Sequence, residues 1–139
     1  MDEALKVLGL AIPGKGSSPD YFIDLIEKGI PKRSLQRAKR ATGLTYITLG
    51  RLLSVSAKTI ERKKPNERFD DTASERLIKL AEIIALGREA LGNDEALQQW
   101  LLRPLRPLGG KQPVEIMKNM YGLEAVKQLL GRAKYGVYS

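Results

Sequence analysis

Apolar residues recur at intervals of three and four positions through most of this 139-residue chain. That spacing places them on one face of an α-helix, whereas a half-buried β-strand alternates with a period of two. No alternation of period two runs for more than a few residues, and glycine or proline separates the periodic segments. The sequence therefore predicts an all-α protein.

Start and stop signals divide the N-terminal half into four short helices. Serine, threonine and proline mark helix starts, and glycine marks helix ends. We expect the first helix to start at Pro19, after a Ser17 or Ser18 cap, and to end by Gly29. The second should run from Pro31 to about Gly43. The third should begin after Thr45, and the fourth after Ser56. The side chains predicted to face inward are Phe22, Ile23, Leu25, Ile26, Leu35, Ala38, Ile47, Leu49, Leu52, Leu53 and Ile60.

The composition changes after Phe69, and we expect one unit over residues 1–70 and a second over residues 71–139. The second unit is predicted to open with a long helix that begins at Thr72 or Ser74 and ends at Leu91. A short helix capped by Asp94 follows, then one from Pro113 that Gly122 closes, and a last one from Leu123 to Tyr135.

The segment Trp100–Pro113 holds the only tryptophan, three of the seven prolines and a Gly-Gly pair. Proline cannot continue a helix, and glycine accepts positive φ. We expect a rigid corner, with Trp100 buried beneath it, that orients the last two helices. The residues assigned to this corner are Trp100, Pro104, Gly109, Gly110 and Pro113.

Positive charge is concentrated in one third of the chain. Residues 32–64 contain ten lysines and arginines and one acid, Glu61, while the net charge of the whole chain is +8. Such a cluster is typical of proteins that bind the phosphate backbone of nucleic acids. The alternative is a basic helix surface that only contacts solvent.

The same region has the spacing of a helix-turn-helix. Such a unit needs a small residue where its two helices pack, a turn about four residues later, and apolar residues after the turn. Gly50, Ser54, Val55 and Ile60 satisfy this spacing, with Ser54 in place of the usual glycine. The side chains then available to DNA are Ser56, Lys58, Thr59, Arg62 and Lys63. An ordinary helical hairpin, with hydroxyls as caps, is the alternative.

The chain contains neither cysteine nor histidine, and this removes disulfides, thiolate nucleophiles, imidazole bases and the usual zinc sites. Recognisable serine-nucleophile motifs are also missing, so we expect no catalytic residue, no metal and no cofactor. The glycine-rich stretch Pro13–Asp20 lacks the spacing of a phosphate-binding loop and is interpreted as a turn. The apolar runs are too short to span a membrane, and we expect a soluble protein.

Several motifs together resemble the Xre/MbcA/ParS antitoxins. They are LLSVSAKTIERK, the serine-glutamate-arginine helix start Ser74-Glu75-Arg76, the tryptophan and proline turn leading to LGGKQPVEIM, and the final YGLEAVKQLLGRAKYGVYS. The resemblance covers residues from about Pro31 to Ser139. It implies a bacterial cytoplasmic antitoxin with an N-terminal Xre-like helix-turn-helix domain packed on a C-terminal helical toxin-binding domain.

The resemblance also implies two partners. One is a RES-domain toxin that consumes NAD, whose active site the C-terminal region blocks. The other is the operator DNA of the antitoxin's own operon. Because a single helix-turn-helix usually recognises DNA as a dimer, we also expect a homodimer, alone or within a larger toxin–antitoxin assembly. The toxin-facing residues carried over from the family are Arg132, Lys134, Tyr135, Gly136, Val137 and Tyr138.

Two alternatives stay open at this point. The terminal tyrosines, which are aromatic anchors suited to an interface, could instead fold back on the core of the chain. The whole chain could be a stand-alone helix-turn-helix regulator whose C-terminal half dimerises or senses a small ligand under Trp100. A toxic neighbouring gene product that this chain neutralises would exclude the regulator.

Overall fold

The computed structural model describes residues 2–12 and 19–134. This part of the chain is helical, as the sequence predicts, and its extended pairing is limited to two isolated bridges, Pro31 with Arg68 and Leu105 with Lys111. The helices are α1 Asp2–Val7, α2 Pro19–Lys28, α3 Lys32–Thr42, α4 Tyr46–Leu53, α5 Ala57–Arg62, α6 Asp71–Leu91, α7 Asp94–Leu101, the 3-10 turn Arg106–Leu108, α8 Pro113–Ile116 and α9 Met120–Lys134.

Helix α6 is the centre of the fold and packs against α1, α2, α3, α4, α7 and α9. Its buried side chains include Leu77, Leu80, Ile83 and Ile84, each fully inaccessible to solvent. Because apolar residues cover several sides of this helix, it can contact neighbours on more than one side. The helix-turn-helix helices therefore share one core with the C-terminal helices.

Most helix starts follow the predicted signals. Thr45 accepts a hydrogen bond from the backbone N–H of Thr48, and Ser56 accepts one from Thr59, so both are N-caps. Two predicted caps are wrong by a few residues. Asp70, and neither Thr72 nor Ser74, caps α6, and Asn93 rather than Asp94 caps α7. Ser17 and Ser18 lie outside the described residues.

Ser74 has another role, because it is buried and bonds across the fold. Its Oγ accepts a hydrogen bond of 2.9 Å from the backbone N–H of Ile30. This contact joins the loop between α2 and α3 to the first turn of α6. Asp94 likewise lies in an ion pair with Arg88, at 2.7 Å, which ties the start of α7 to the end of α6.

Two isoleucines predicted to be buried are exposed. Ile23 is 52% exposed and Ile47 is 60% exposed. Each lies next in sequence to a residue that packs towards the core, and adjacent helix residues point about 100° apart. A short run of apolar residues therefore does not show which of them face inward. Helix α1, for which the sequence analysis predicts no element, adds the buried residue Leu5 to the core, and Leu8, directly after this helix, is also buried.

Gly122 does not end a helix, contrary to the prediction. It lies in the first turn of α9, and its backbone N–H donates a 2.8 Å hydrogen bond to Asn119 Oδ1. A Cβ at this position would lie 1.5 Å from the carbonyl oxygen of Ile116. The glycine is therefore needed for the close approach of α8 to α9. The predicted last residue, Tyr135, lies outside the described residues.

The Trp100–Pro113 segment forms a compact corner. Trp100 is buried, and Gly109 and Gly110 have positive φ values of 66° and 83°, as expected from the sequence. Gln112 Nε2 donates a 2.7 Å hydrogen bond to the carbonyl of Leu102, across the turn. The corner thus ties the end of α7 to the start of α8.

A network of ion pairs joins α6 to α9, with one pair inside α6 and two that cross to α9. Lys79 contacts Glu82 at 3.0 Å and Glu124 at 3.1 Å, and Lys127 contacts Glu82 at 3.4 Å. Burial lowers the pKa of Lys79, but hydrogen bonds to Glu82 and Glu124 outweigh it and raise that pKa. The hydrogen bond from Lys79 lowers the pKa of Glu124, so its contribution to stability is present above the ordinary carboxyl pKa and is lost as the pH falls.

Candidate functional site

Helices α4 and α5 form the predicted helix-turn-helix. A Cβ on Gly50 would lie 2.3 Å from the carbonyl oxygen of Val55, so the turn approaches this helix as closely as the spacing requires. Ile60, after the turn, is fully buried. These contacts fix the angle between the two helices, and α5 lies where the second helix of such a motif presents its side chains.

Ser54 occupies the turn position where glycine is usual. Its φ of 62° is in the left-handed region, and no other non-glycine residue among those described has positive φ. A side chain in this conformation costs roughly 1–2 kcal/mol. We therefore expect Ser54→Gly to raise the free energy of unfolding by up to about 1 kcal/mol, after the greater flexibility of glycine in the unfolded chain is subtracted. Urea unfolding measures this, and a loss of stability would show that Ser54 is not strained.

The candidate contact residues occupy the start and outer face of α5. Ser56 Oγ accepts a 3.0 Å hydrogen bond from the Thr59 N–H and donates one of 2.8 Å to Thr59 Oγ1. Both hydroxyls are exposed, and that of Ser56 also serves as the helix cap. Lys58 and Arg62 are exposed and four residues apart, so they lie on the same face of the helix.

Lys63 differs from the other candidates. Its Nζ donates a 2.9 Å hydrogen bond to the carbonyl of Arg68 and lies 5.4 Å from the centre of the Phe69 ring. The side chain is half-buried against the segment that follows α5. Its charge contributes to the local field, but its ammonium group is held by the protein.

The structure gives two basic residues of this region a structural role that the sequence analysis missed. Lys32 is 7% exposed, and its Nζ donates hydrogen bonds to the carbonyls of Glu61 at 3.3 Å and Lys63 at 2.9 Å. It therefore caps the C-terminal end of α5 from α3. Arg37 similarly bonds the carbonyls of Val7 and Lys6 at the end of α1.

The other cations of this region remain available at the surface. None of the basic residues between positions 32 and 64 takes part in an ion pair with any described acid. The positive charge of this region is therefore not neutralised by ion pairs with described acids. Apart from Arg37, whose guanidinium is bonded to α1, the exposed members are Arg33, Arg40, Arg51, Lys58, Arg62 and Lys64.

The C-terminal candidates lie at the end of α9. Arg132 is exposed, whereas Lys134 Nζ forms a 2.5 Å ion pair with Glu89 of α6. The other four, Tyr135, Gly136, Val137 and Tyr138, lie outside the described residues. Helix α9 thus holds Arg132 on an exposed face just before the chain end.

No group of acidic residues that could hold a metal ion occurs in the described ranges, 2–12 and 19–134. Within the same ranges, no helix has the length and apolar character needed to cross a membrane.

Comparison with known protein families gives two matches that together span most of the chain. Residues 22–82 match the antitoxin Xre-like helix-turn-helix domain. Residues 86–136 match the antitoxin Xre/MbcA/ParS C-terminal toxin-binding domain. The chain belongs to the Xre/MbcA/ParS family of antitoxins. It is thus an antitoxin of a toxin–antitoxin system, with a helix-turn-helix domain before its toxin-binding domain.

Individual relatives agree with this assignment. The antitoxin is 28% identical over 133 residues to a Prs ADP-ribosylating antitoxin of Sphingobium sp. (strain YBL2), covering 88% of this chain and 84% of the relative. It is 26% identical over 125 residues to the antitoxin Xre of Yersinia enterocolitica, covering 86% and 76%.

A solved structure has the same fold. It is a chain in the crystal structure of the M. tuberculosis MbcT-MbcA toxin-antitoxin complex, with a TM-score of 0.58 and 24% identity. The match covers 78% of this antitoxin and 96% of that chain.

The two family matches divide the candidate residues. Ser56, Lys58, Thr59, Arg62 and Lys63 all lie within the helix-turn-helix domain. The corner and the C-terminal candidates up to Gly136 lie within the toxin-binding domain. The predicted unit boundary after residue 70 stays a prediction.

Proposed function

We propose that this antitoxin neutralises a RES-domain toxin that consumes NAD, by binding it and blocking its active site with the C-terminal region. The observation that carries the proposal is the toxin-binding domain over residues 86–136. The Sphingobium relative is named for ADP-ribosylation, and ADP-ribosyl transfer takes its group from NAD. That name supports NAD as the substrate of the toxin.

The residues that would reach the toxin follow from the position of α9. Arg132 supplies a positive charge on its exposed face, and the next residues in sequence include Tyr135 and Tyr138. Aromatic and arginine side chains commonly supply most of the energy of an interface. Lys134 reaches the toxin only if its ion pair with Glu89 opens.

A titration of the purified toxin with this antitoxin tests the neutralisation. NAD consumption should fall in proportion to the antitoxin added and reach zero at a fixed molar ratio. The matched control is an unrelated basic protein of similar size. A toxin that binds the antitoxin but consumes NAD at an unchanged rate would contradict the blocking mechanism.

We also propose that the antitoxin represses its own operon through α4 and α5. The exposed start of α5, the six unpaired surface cations and the helix-turn-helix geometry support this. A single helix-turn-helix makes few contacts, and two half-sites one helical turn apart multiply them. We therefore propose that the antitoxin binds its operator as a homodimer, alone or within the complex with the toxin.

Substitution of the two exposed cations of α5 should weaken operator binding and leave toxin binding intact. We expect Lys58→Ala or Arg62→Ala to cost roughly 1–3 kcal/mol of operator affinity if each makes a base contact. Fluorescence anisotropy with a duplex from the region upstream of the gene measures this. The control is Lys28→Ala, which removes an equal charge from the end of α2. Equal affinities for all three variants would contradict the assignment.

A further inference from the structure

A groove runs between α4 and the connection that leads from the corner through α8 to α9. One part of it encloses about 610 Å³ and is lined by Arg51, Lys111, Glu115 and Lys118, among other residues. A second, shallower part lies beside the helix-turn-helix turn and includes Ser54 and Ser56. Arg51 and Lys118 belong to both parts, so the groove is continuous from the start of α5 onto the toxin-binding domain.

The groove has an excess of positive charge. Its lining carries three cations, Arg51, Lys111 and Lys118, and one carboxylate, Glu115. Glu115 accepts a 2.7 Å hydrogen bond from the backbone N–H of Gln112, which holds the carboxylate in place but leaves its charge. All three cations are exposed, and none forms an ion pair with a described acid. An anion placed in the groove would therefore meet more positive than negative charge.

We propose that this groove is a second contact surface for DNA, in which Lys111 and Lys118 of the toxin-binding domain bind the sugar-phosphate backbone beside the base pairs that α5 contacts. The proposal rests on operator binding by the helix-turn-helix. Its support is the position of Lys118 in one cleft with Ser54 and Ser56, at the end of α5 that enters the major groove. Such contacts fix the register of the protein on DNA and do not depend on base sequence.

This surface gives the toxin-binding domain a direct part in DNA binding. The two lysines lie outside the helix-turn-helix match, which ends at residue 82. An isolated helix-turn-helix domain would therefore lack part of the phosphate contacts of the whole chain. The DNA affinity of the full antitoxin should therefore fall more steeply with salt concentration than the DNA affinity of the helix-turn-helix domain alone.

The double variant Lys111→Ala/Lys118→Ala tests the proposal in the full chain. Each phosphate contact contributes about 0.9 to the slope of log affinity against log salt concentration. We expect the slope to fall by about 1.8 for each bound protomer, or about 3.6 for the homodimer. Affinity should fall by the same factor for an upstream duplex and for an unrelated duplex of equal length. The charge-matched control is Lys6→Ala/Lys28→Ala, which removes two exposed lysines that do not line the groove.

Four outcomes separate this proposal from the proposed operator binding. A smaller slope in the groove variant alone supports it. Equal slopes in the groove variant and the control overturn it. If Arg62→Ala still weakens DNA binding in that case, the proposed operator binding by α5 stands. Loss of toxin capture with unchanged DNA binding also overturns it and assigns the groove to the toxin. Wild-type protein that binds neither duplex overturns both proposals. Unchanged thermal melting of the double variant verifies that it is folded.

Discussion

Gly122→Ala is expected to destabilise the antitoxin by about 3 kcal/mol, because the new methyl group has no room. Its Cβ would lie 1.5 Å from the carbonyl oxygen and 2.6 Å from the carbonyl carbon of Ile116. These are backbone atoms, so no rotation of a side chain relieves the overlap, and α8 must move away from α9. A loss of this size lowers the melting temperature by roughly 10 °C in a protein of this length.

The chain offers a matched control for this substitution within the same helix. Gly131 also lies in α9, and a Cβ there would meet no atom within 4 Å. Gly131→Ala should raise stability by about 0.5–1 kcal/mol, since alanine favours the helix over glycine. If both variants melted at the same temperature, the close approach of α8 and α9 at Gly122 would be wrong.

Deletion of Gly136–Ser139 should abolish neutralisation of the toxin. These residues include Tyr138, and loss of an aromatic anchor in an interface costs about 2 kcal/mol or more, which corresponds to roughly 30-fold in affinity. We expect a shortened chain that no longer inhibits NAD consumption at equimolar concentration. Titration of the toxin with the shortened and full chains measures the change.

The control for this deletion is stability. If the tail contacts the toxin, the shortened chain should melt at the temperature of the full chain. Unchanged neutralisation together with a lower melting temperature would mean that the tail folds back on the antitoxin's own core. Lys58→Ala provides a second control, because a change confined to α5 should leave neutralisation unaltered.

The parts of the fold that the sequence predicts are those set by local interactions. Thr45 and Ser56 bond to backbone groups three residues later, and Gly43 ends α3 with a φ of 70°. The spacing of Gly50 and Ile60 likewise depends on one short hairpin. Because the interacting residues lie within about ten positions of each other, the local sequence pattern is enough to predict these contacts.

The features that the sequence analysis missed depend on distant parts of the chain. Ile47 is apolar and lies in a helix, yet no element of the described residues covers it, and only the packed fold shows which side of that helix is exposed. Lys32 reads as one surface cation among ten, but the carbonyls that it caps lie 29 and 31 residues away. Gly122 was predicted to end a helix, because glycine is common there. Its actual role depends on a carbonyl outside its own helix, which leaves no room for a side chain.

The candidate site shows the same division between local features, which the sequence predicts, and long-range contacts, which it does not. Lys58, Thr59 and Arg62 are exposed on α5, where the helix-turn-helix spacing indicates. Lys63 is held by Arg68 and Phe69, which no local pattern signals. Lys111 and Lys118 were not predicted, because their proximity to α4 follows from the packing of the two domains.

Purification of the tagged antitoxin from its native host shows whether a RES-domain toxin is its partner. We expect one RES-domain protein to co-purify and to consume NAD only after it is separated from the antitoxin. Mass spectrometry identifies the partner, and an NAD assay before and after separation measures its activity. An antitoxin that elutes without a partner, or with one that leaves NAD unchanged after separation, would contradict the proposed neutralisation.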